Sequence, residues 1–151
     1  MNIIPGTILA SSALMDDPAF YDSVVLIVEY NKDGALGFVV NKVFEHSLNE
    51  LVEFSSSPAF LLHSGGPVDK EHLYFIHQRN DLIAGGTFIT GNIYFGGNFK
   101  QAISCINNNH LTTADIKIFI GYCGWDANDL ENEIAEGSWE IDDPAKYEVF
   151  S

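Results

Sequence analysis

Residues 23–41 read SVVLIVEYNKDGALGFVVN and decide the fold class of this chain. Residues 23–30 form a nearly continuous apolar run rich in β-branched side chains, which is typical of a strand covered on both faces. The turn sequence NKDG follows, and residues 35–41 return as a second apolar strand. The pattern therefore predicts a β-hairpin at the centre of a sheet, with Val25 or Ile27 buried in the core.

Further short strands are predicted on both sides of this hairpin. They are bounded by glycine and asparagine turns, and they show no repeated βαβ period. The predicted strands are residues 6–10, 60–63, 73–77, 87–90, 93–95 and 116–122.

Capping residues predict three short helices. Ser47-Leu48-Asn49-Glu50 is a capping box, in which the Ser and Glu side chains each accept a backbone N–H of the first turn. The predicted helices run from Ser47 to about Phe54, over residues 99–106 after Asn98, and from Asp126 to Gly137, and a shorter helical turn begins at Asp17-Pro18. Short strands that alternate irregularly with three modest helices indicate an α+β fold with a mixed sheet, and 151 residues fit a single domain, residues 1–151.

The charge of the chain argues against nucleic acid as a partner. Twenty-one acidic residues face seven basic ones, which gives a net charge of −14, and the basic residues are scattered along the sequence. Duplex DNA is bound largely through clustered Lys and Arg side chains that neutralise phosphates. We therefore expect no direct binding to nucleic acid or to an anionic membrane. No basic and apolar leader opens the sequence, so a cytoplasmic location is expected.

No cluster of residues specifies a reaction. Cys123-Gly124-Trp125 is only superficially similar to a cysteine-protease motif, and Cys105 and Cys123 are expected to be reduced core residues. His72 and His77 are five residues apart, so on one strand they point to opposite faces and cannot share a metal ion. We therefore expect no catalytic residue, metal ion or cofactor, and an enzyme is the less favoured interpretation.

The last predicted helix carries an acidic stripe. Asp126, Asp129, Glu133 and Glu136 are spaced three, four and three residues apart, which places them on one helix face. Such a stripe is typical of a solvated surface. The alternative is a contact for a basic partner or a divalent cation.

Motifs spread over most of the chain occur together in a fixed order. They are Gly6-x-x-Leu9, Asp17-x-x-Phe20, Gly34-Ala35-x-Gly37 with Asn41, Gly65-Gly66-Pro67-Val68, Gly121-Tyr122-x-Gly124-Trp125, and Gly137-Ser138-Trp139. Together these segments resemble the motifs of the YqgE/AlgH family. The chain departs from the family pattern at Lys42-Val43, where members usually have Arg-Pro.

The resemblance implies a compact α+β domain with a bent mixed, largely antiparallel sheet, in a protein of the bacterial cytosol. Members of the family are described as transcriptional regulators, and the family supplies no agreed reaction or catalytic residues. Our leading hypothesis is a non-enzymatic regulatory or interaction protein that affects transcription indirectly. The alternative is a small-molecule-binding protein or enzyme with a cleft near the glycine-rich loops. A DNA-binding repressor is disfavoured by charge.

If the protein binds a small ligand, we expect the site where the turn at Gly65 and Gly66 approaches Asn41 and Trp125. Glycines let backbone N–H groups come close to a ligand, and an Asn side chain offers both donors and acceptors. The indole of Trp125 would supply an apolar wall beside a helix N-terminus. The structural alternative is that Gly66 belongs to a tight turn and that Trp125 fills the core.

Overall fold

The computed structural model describes residues 2–150, which contain nine strands, two α-helices and four 3₁₀ helices. The strands are β1 (Ile8–Ser11), β2 (Val24–Asn31), β3 (Gly34–Val39), β4 (Leu62–Ser64), β5 (Val68–His77), β6 (Thr87–Thr90), β7 (Ile93–Phe95), β8 (Ile116–Asp126) and β9 (Trp139–Asp142). The α-helices are α1 (Phe99–Asn107) and α2 (Asp129–Ala135). The 3₁₀ helices are Pro18–Phe20, Leu48–Glu50, Val52–Phe54 and Pro144–Lys146.

The strands form one mixed, largely antiparallel sheet. Its order is β6-β7-β5-β8-β3-β2-β1-β9, and β4 pairs with β8 outside this path. The pairing of β4 with β8 is parallel, whereas every other pairing of named strands in the described part of the chain is antiparallel. The prediction of a single α+β domain with a mixed, largely antiparallel sheet is confirmed.

The predicted hairpin is β2 and β3, and it lies inside the sheet. Val25 and Ile27 have no exposed surface and pack in a cluster with Trp139. Leu26 and Val28 point to the other face, where they pack in a second buried cluster with Phe119. The strand is therefore covered on both faces, as its continuous apolar run predicts.

Strand β8 links the two halves of the sheet. Residues 116–120 pair with β4 or β5, Tyr122 pairs with Val68 of β5, and the last four residues pair with β3. Between these parts Gly121 adopts a positive φ of +75°, and a Cβ built there would lie 2.3 Å from the carbonyl oxygen of Gly66. Only glycine allows this close crossing of two backbone segments.

The prediction of one helix from Ser47 to about Phe54 is wrong. The structure has two 3₁₀ helices instead, because Leu51 between them is extended at φ −81° and ψ 133°. The N–H of Ser47 still donates to Glu50 Oε2 at 2.6 Å, so this half of the capping box forms. Leu48, Leu51 and Phe54 all belong to one apolar cluster, and their three-residue spacing fits the 3₁₀ repeat rather than the α repeat.

The helix predicted from Asp126 begins later. Asp126 is the last residue of β8, where it pairs with Gly34, and α2 starts at Asp129 after Asn128 in a left-handed conformation. Continuation of the ladder with β3 therefore replaces the first predicted turn, and Asp126 leaves the acidic stripe. Helix α1 matches its prediction, because the Asn98 side chain accepts the N–H of Gln101 at 3.0 Å. Strand β9 was not predicted.

Candidate functional site

Strand β5 contains a large bulge opposite Gly121. Val68 pairs with Tyr122 and Leu73 pairs with Ile120, so the four residues Asp69, Lys70, Glu71 and His72 face a single residue of β8. We call these four residues the β5 bulge. Asp69 begins it with a positive φ of 52°, which is uncommon for a residue other than glycine. Bulges of this kind redirect side chains and are frequent beside functional sites.

A hydrogen-bonded group fixes the conformation of the β5 bulge. Tyr74 donates its hydroxyl to Asp69 Oδ2, and His72 Nδ1 lies 2.8 Å from Asp69 Oδ1. The bond from Tyr74, followed by the bond from His72, lowers the pKa of Asp69. The same carboxylate raises the pKa of His72 and raises the pKa of Tyr74 to about 12. Asp69 is therefore ionised at neutral pH. Its hydrogen bonds join the start of the bulge to His72 at the end of the bulge and to Tyr74 just beyond it.

The β5 bulge forms one wall of a cleft of about 600 Å³. The other walls are the 3₁₀ helix Val52–Phe54 and the start of α1. Its apolar lining consists of Leu51, Val52, Phe54, Leu73, Phe99 and Ile120, and its charged or titratable lining consists of Glu53, Lys70, Glu71 and His72. Val52 is 91% exposed, so the cleft presents apolar surface directly to solvent.

Two smaller clefts adjoin the first through shared side chains. A cleft of about 490 Å³ shares Phe54 and Phe99 with it and adds Lys100. A cleft of about 230 Å³ shares Lys70 and Ile120 with it; its other lining residues are Ala19, Val39, Lys42, Phe44, Ser64, Gly66 and Pro67. We call this row of three clefts the β5 groove.

The β5 groove collects positive charge that is not neutralised elsewhere. Lys42, Lys70 and Lys100 line it, and none of them lies within 4.0 Å of a carboxylate among residues 2–150. Arg79 and Lys146, in contrast, form ion pairs with nearby aspartates. A separate cleft of about 420 Å³ beside β3 is lined by three acids and no base: Glu29, Asp33 and Asp126. The β5 groove, with three lysines and two glutamates in its lining, therefore differs in charge from this acidic cleft.

A family model described as AlgH-like matches residues 8–151. The chain belongs to the AlgH-like family. It is 35% identical over 147 residues to a UPF0301 protein of Chlorobaculum tepidum, covering 97% of this chain and 79% of that protein. It is 36% identical over 140 residues to a UPF0301 protein of Parabacteroides distasonis, covering 91% of this chain and 71% of that protein. The resemblance to the YqgE/AlgH family is thereby confirmed.

Two solved structures share the fold of this AlgH-like chain. The solution structure of the AlgH protein from Pseudomonas aeruginosa has a TM-score of 0.75 and 24% identity, covering 93% of this chain and 78% of that one. The crystal structure of a protein from Corynebacterium diphtheriae has a TM-score of 0.76 and 18% identity, covering 96% of this chain and 79% of that one. At these identities the likeness establishes the fold alone.

The glycines of the predicted ligand site approach the protein's own backbone. A Cβ built on Gly65 would lie 2.4 Å from the carbonyl oxygen of Gly121, and one on Gly66 would lie 2.3 Å from that of Tyr122. The Asn41 side chain is also engaged, because Nδ2 donates to Asp22 O at 2.9 Å and Oδ1 accepts the Val24 N–H at 3.0 Å. Gly65, Gly66 and Asn41 thus have structural partners.

Trp125 lies apart from the β5 groove. It is 8% exposed and packs edge-to-face with Trp139, with the ring centroids 6.2 Å apart. Its remaining surface lines the acidic cleft beside β3. Gly66 lines the β5 groove, so the structure does not bring Gly66 and Trp125 to the same cleft. Ligand binding by these residues stays a prediction.

Sequence reasoning missed the group of Asp69, His72 and Tyr74. The only local signal is a run of four charged or titratable residues before an apolar strand.

Cys123 does not offer a reactive thiolate, because burial raises its pKa to about 12 and its Sγ donates to Gly65 O at 3.4 Å. Within residues 2–150, no three His, Cys, Asp or Glu side chains are placed to hold a metal ion. Over the same residues, no helix is long and apolar enough to cross a membrane.

Proposed function

We propose that this protein is a non-enzymatic regulatory or interaction protein of the bacterial cytoplasm, which acts by binding at the β5 groove. Any effect on transcription is then indirect. The observation that supports the proposal is the groove itself, in which exposed apolar side chains and three lysines line adjoining clefts, and these lysines have no carboxylate partner among residues 2–150. Exposed apolar surface with a polar rim is typical of binding sites.

The distribution of charge supports binding of something other than DNA. The three lysines of the groove are too few to offset a net charge of −14. A long polyanion such as duplex DNA is therefore repelled by the protein as it approaches. A small or locally docking partner meets only the groove, since charges farther away than about 8–10 Å are screened at physiological ionic strength. The groove therefore suits a compact partner and not a duplex.

A small-molecule-binding protein or an enzyme is the second candidate, and one observation favours it. The cleft of about 230 Å³ lies at the glycine-rich turn, where Gly66 and Pro67 line it together with Lys42 and Lys70. Two cations beside an exposed turn can hold an anionic group. The groups in that cleft that could react are Ser64 and the two lysines, but no His, Asp or Glu among residues 2–150 lines it to activate them, so binding is better supported than a reaction.

Affinity purification from the native cell tests the proposal. Val52→Asp places a charge on the exposed apolar surface of the groove, and Ile4→Asp makes the same change at a residue 62% exposed outside it. We expect mass spectrometry to find a protein or small molecule that the wild type and Ile4→Asp retain and that Val52→Asp loses. Retention of the same set by all three proteins, or of nothing by the wild type, would contradict the proposal.

A further inference from the structure

We propose that the β5 groove binds a small amphipathic anion, with its anionic head between Lys42 and Lys70 and its apolar body in the cleft of about 600 Å³. This inference rests on the proposed binding role of the groove and names the chemical class of the ligand. The head group is a carboxylate or a phosphate, and the body is an alkyl chain or an equivalent apolar group.

The position of the head group follows from the charges of the individual clefts. The cleft of about 230 Å³ is lined by two lysines, by the Ser64 hydroxyl and by no acidic residue. Glu53 and Glu71 line only the larger cleft, where they disfavour an anion. In a chain with 21 acids, a concave site with two cations and no carboxylate selects negative charge over positive.

The two lysines are placed differently, and both placements suit a head group. Lys42 is half-buried, and its Nζ donates to the carbonyl oxygen of Ala19 at 3.4 Å, where both residues line the cleft. Lys70 belongs to the β5 bulge, which Asp69 fixes through Tyr74 and His72. The bulge therefore orders the backbone that carries Lys70 before any ligand arrives, which lowers the entropic cost of binding.

The apolar body follows from the adjoining cleft. Lys70 and Ile120 line both clefts, so the larger cleft adjoins the position of a head group held at Lys70. Phe54, Leu73 and Phe99 line that cleft, and its volume falls within the roughly 300–1,000 Å³ of small-molecule sites. A purely ionic ligand leaves this apolar surface exposed, whereas an amphipathic anion covers it.

Isothermal titration calorimetry with amphiphiles of one chain length tests the head group. The probes are dodecanoate, dodecyl phosphate, dodecanol and dodecyltrimethylammonium. The three ionic probes are used below their critical micelle concentrations, and dodecanol is used below its solubility limit. We expect saturable 1:1 binding of one or both anions, with the alcohol and the cation at least about tenfold weaker. The two anion arms distinguish a carboxylate from a phosphate ligand. Octanoate should bind more weakly than dodecanoate if the apolar cleft holds the chain.

Variants test the location of the site. Lys42→Gln and Lys70→Gln should each weaken anion binding about threefold, and the double variant about tenfold. Lys32→Gln removes the same charge from the turn between β2 and β3, outside the groove, and should leave the dissociation constant unchanged. Thermal melts check that each variant is folded. Because all these lysines lie outside the buried set, the substitutions should be tolerated.

Several outcomes would overturn the inference. They are equal binding of the cation and the anions, absence of saturable anion binding, an unchanged dissociation constant in the double variant, and an equal loss in Lys32→Gln. If a Val52→Asp-sensitive protein partner is found while no anion binds, the proposed function stands and this inference fails. If neither is found, both fail.

Discussion

Acid should destabilise this protein through its buried imidazoles, those of His63 on β4 and His77 on β5, because burial lowers the pKa of both. The effect of His63 can be isolated. The residue is 7% exposed, and its Nδ1 has no hydrogen-bond partner in the described part of the chain. Burial, with a smaller contribution from the positive charge of Lys117, lowers the pKa of His63 from 6.5 to about 4. The folded protein therefore holds this imidazole neutral at pH 7 and resists its protonation.

The sign of the effect follows from linkage. As the pH falls below about 6.5, the unfolded chain binds a proton at His63 before the folded chain does. The stabilisation is fully present above about pH 6.5 and is lost as the pH falls towards about 4. Since one pKa unit corresponds to about 1.4 kcal/mol, the loss is about 1.4 kcal/mol by about pH 5.5 and about 3 kcal/mol in full.

Urea unfolding between about pH 7.5 and about pH 5 measures this loss. His63→Gln removes the titrating group, and His110→Gln removes an exposed histidine as the matched control. The difference in unfolding free energy between wild type and His63→Gln should shrink by about 1.4 kcal/mol from about pH 7.5 to about pH 5.5. Parallel pH profiles for wild type and His63→Gln would refute the reasoning.

Three further predictions follow from the fold and the charge. Ile27→Ala should cost about 2–5 kcal/mol in urea melts because Ile27 is fully buried in the central hairpin, and a loss below about 0.5 kcal/mol would contradict that role. Gly121→Ala should destabilise the protein by clearly more than Gly91→Ala. Alanine at either position must adopt a positive φ, which costs roughly 1–2 kcal/mol, but only a Cβ at Gly121 meets backbone atoms. Equal losses of unfolding free energy would show that the backbone crossing at Gly121 relaxes easily. Fluorescence anisotropy should show duplex DNA binding weaker than the roughly 10⁻⁴–10⁻⁶ M of ordinary non-specific binders, and tight salt-sensitive binding would rule out our interpretation of the charge.

The sequence predicted those elements whose signals are local. The hairpin of β6 and β7 has the predicted bounds because its turn and its alternating side chains lie within nine residues. The helix expected after Ser47 failed because tertiary packing of Leu48 decided the local geometry against the capping signal. Strand β9 was missed because it has no neighbouring hairpin partner in the sequence and pairs instead with β1 at the far end of the chain.

The groove could not be predicted from the sequence, because its cations are far apart along the chain. Lys42 follows β3, Lys70 belongs to the β5 bulge and Lys100 lies in α1, and no spacing rule relates the three positions. The glycine-rich turn was noticed, and its Gly66 and Pro67 line the cleft of about 230 Å³, whereas Trp125 lines a different cleft. Gly121 is the one residue of β8 opposite the bulge, and its close approach to Gly66 determines where β5 leaves the ladder. A side chain at Gly121 would therefore displace the backbone beside the bulge that carries Lys70, whereas one at Gly66 would also alter the wall of the cleft of about 230 Å³.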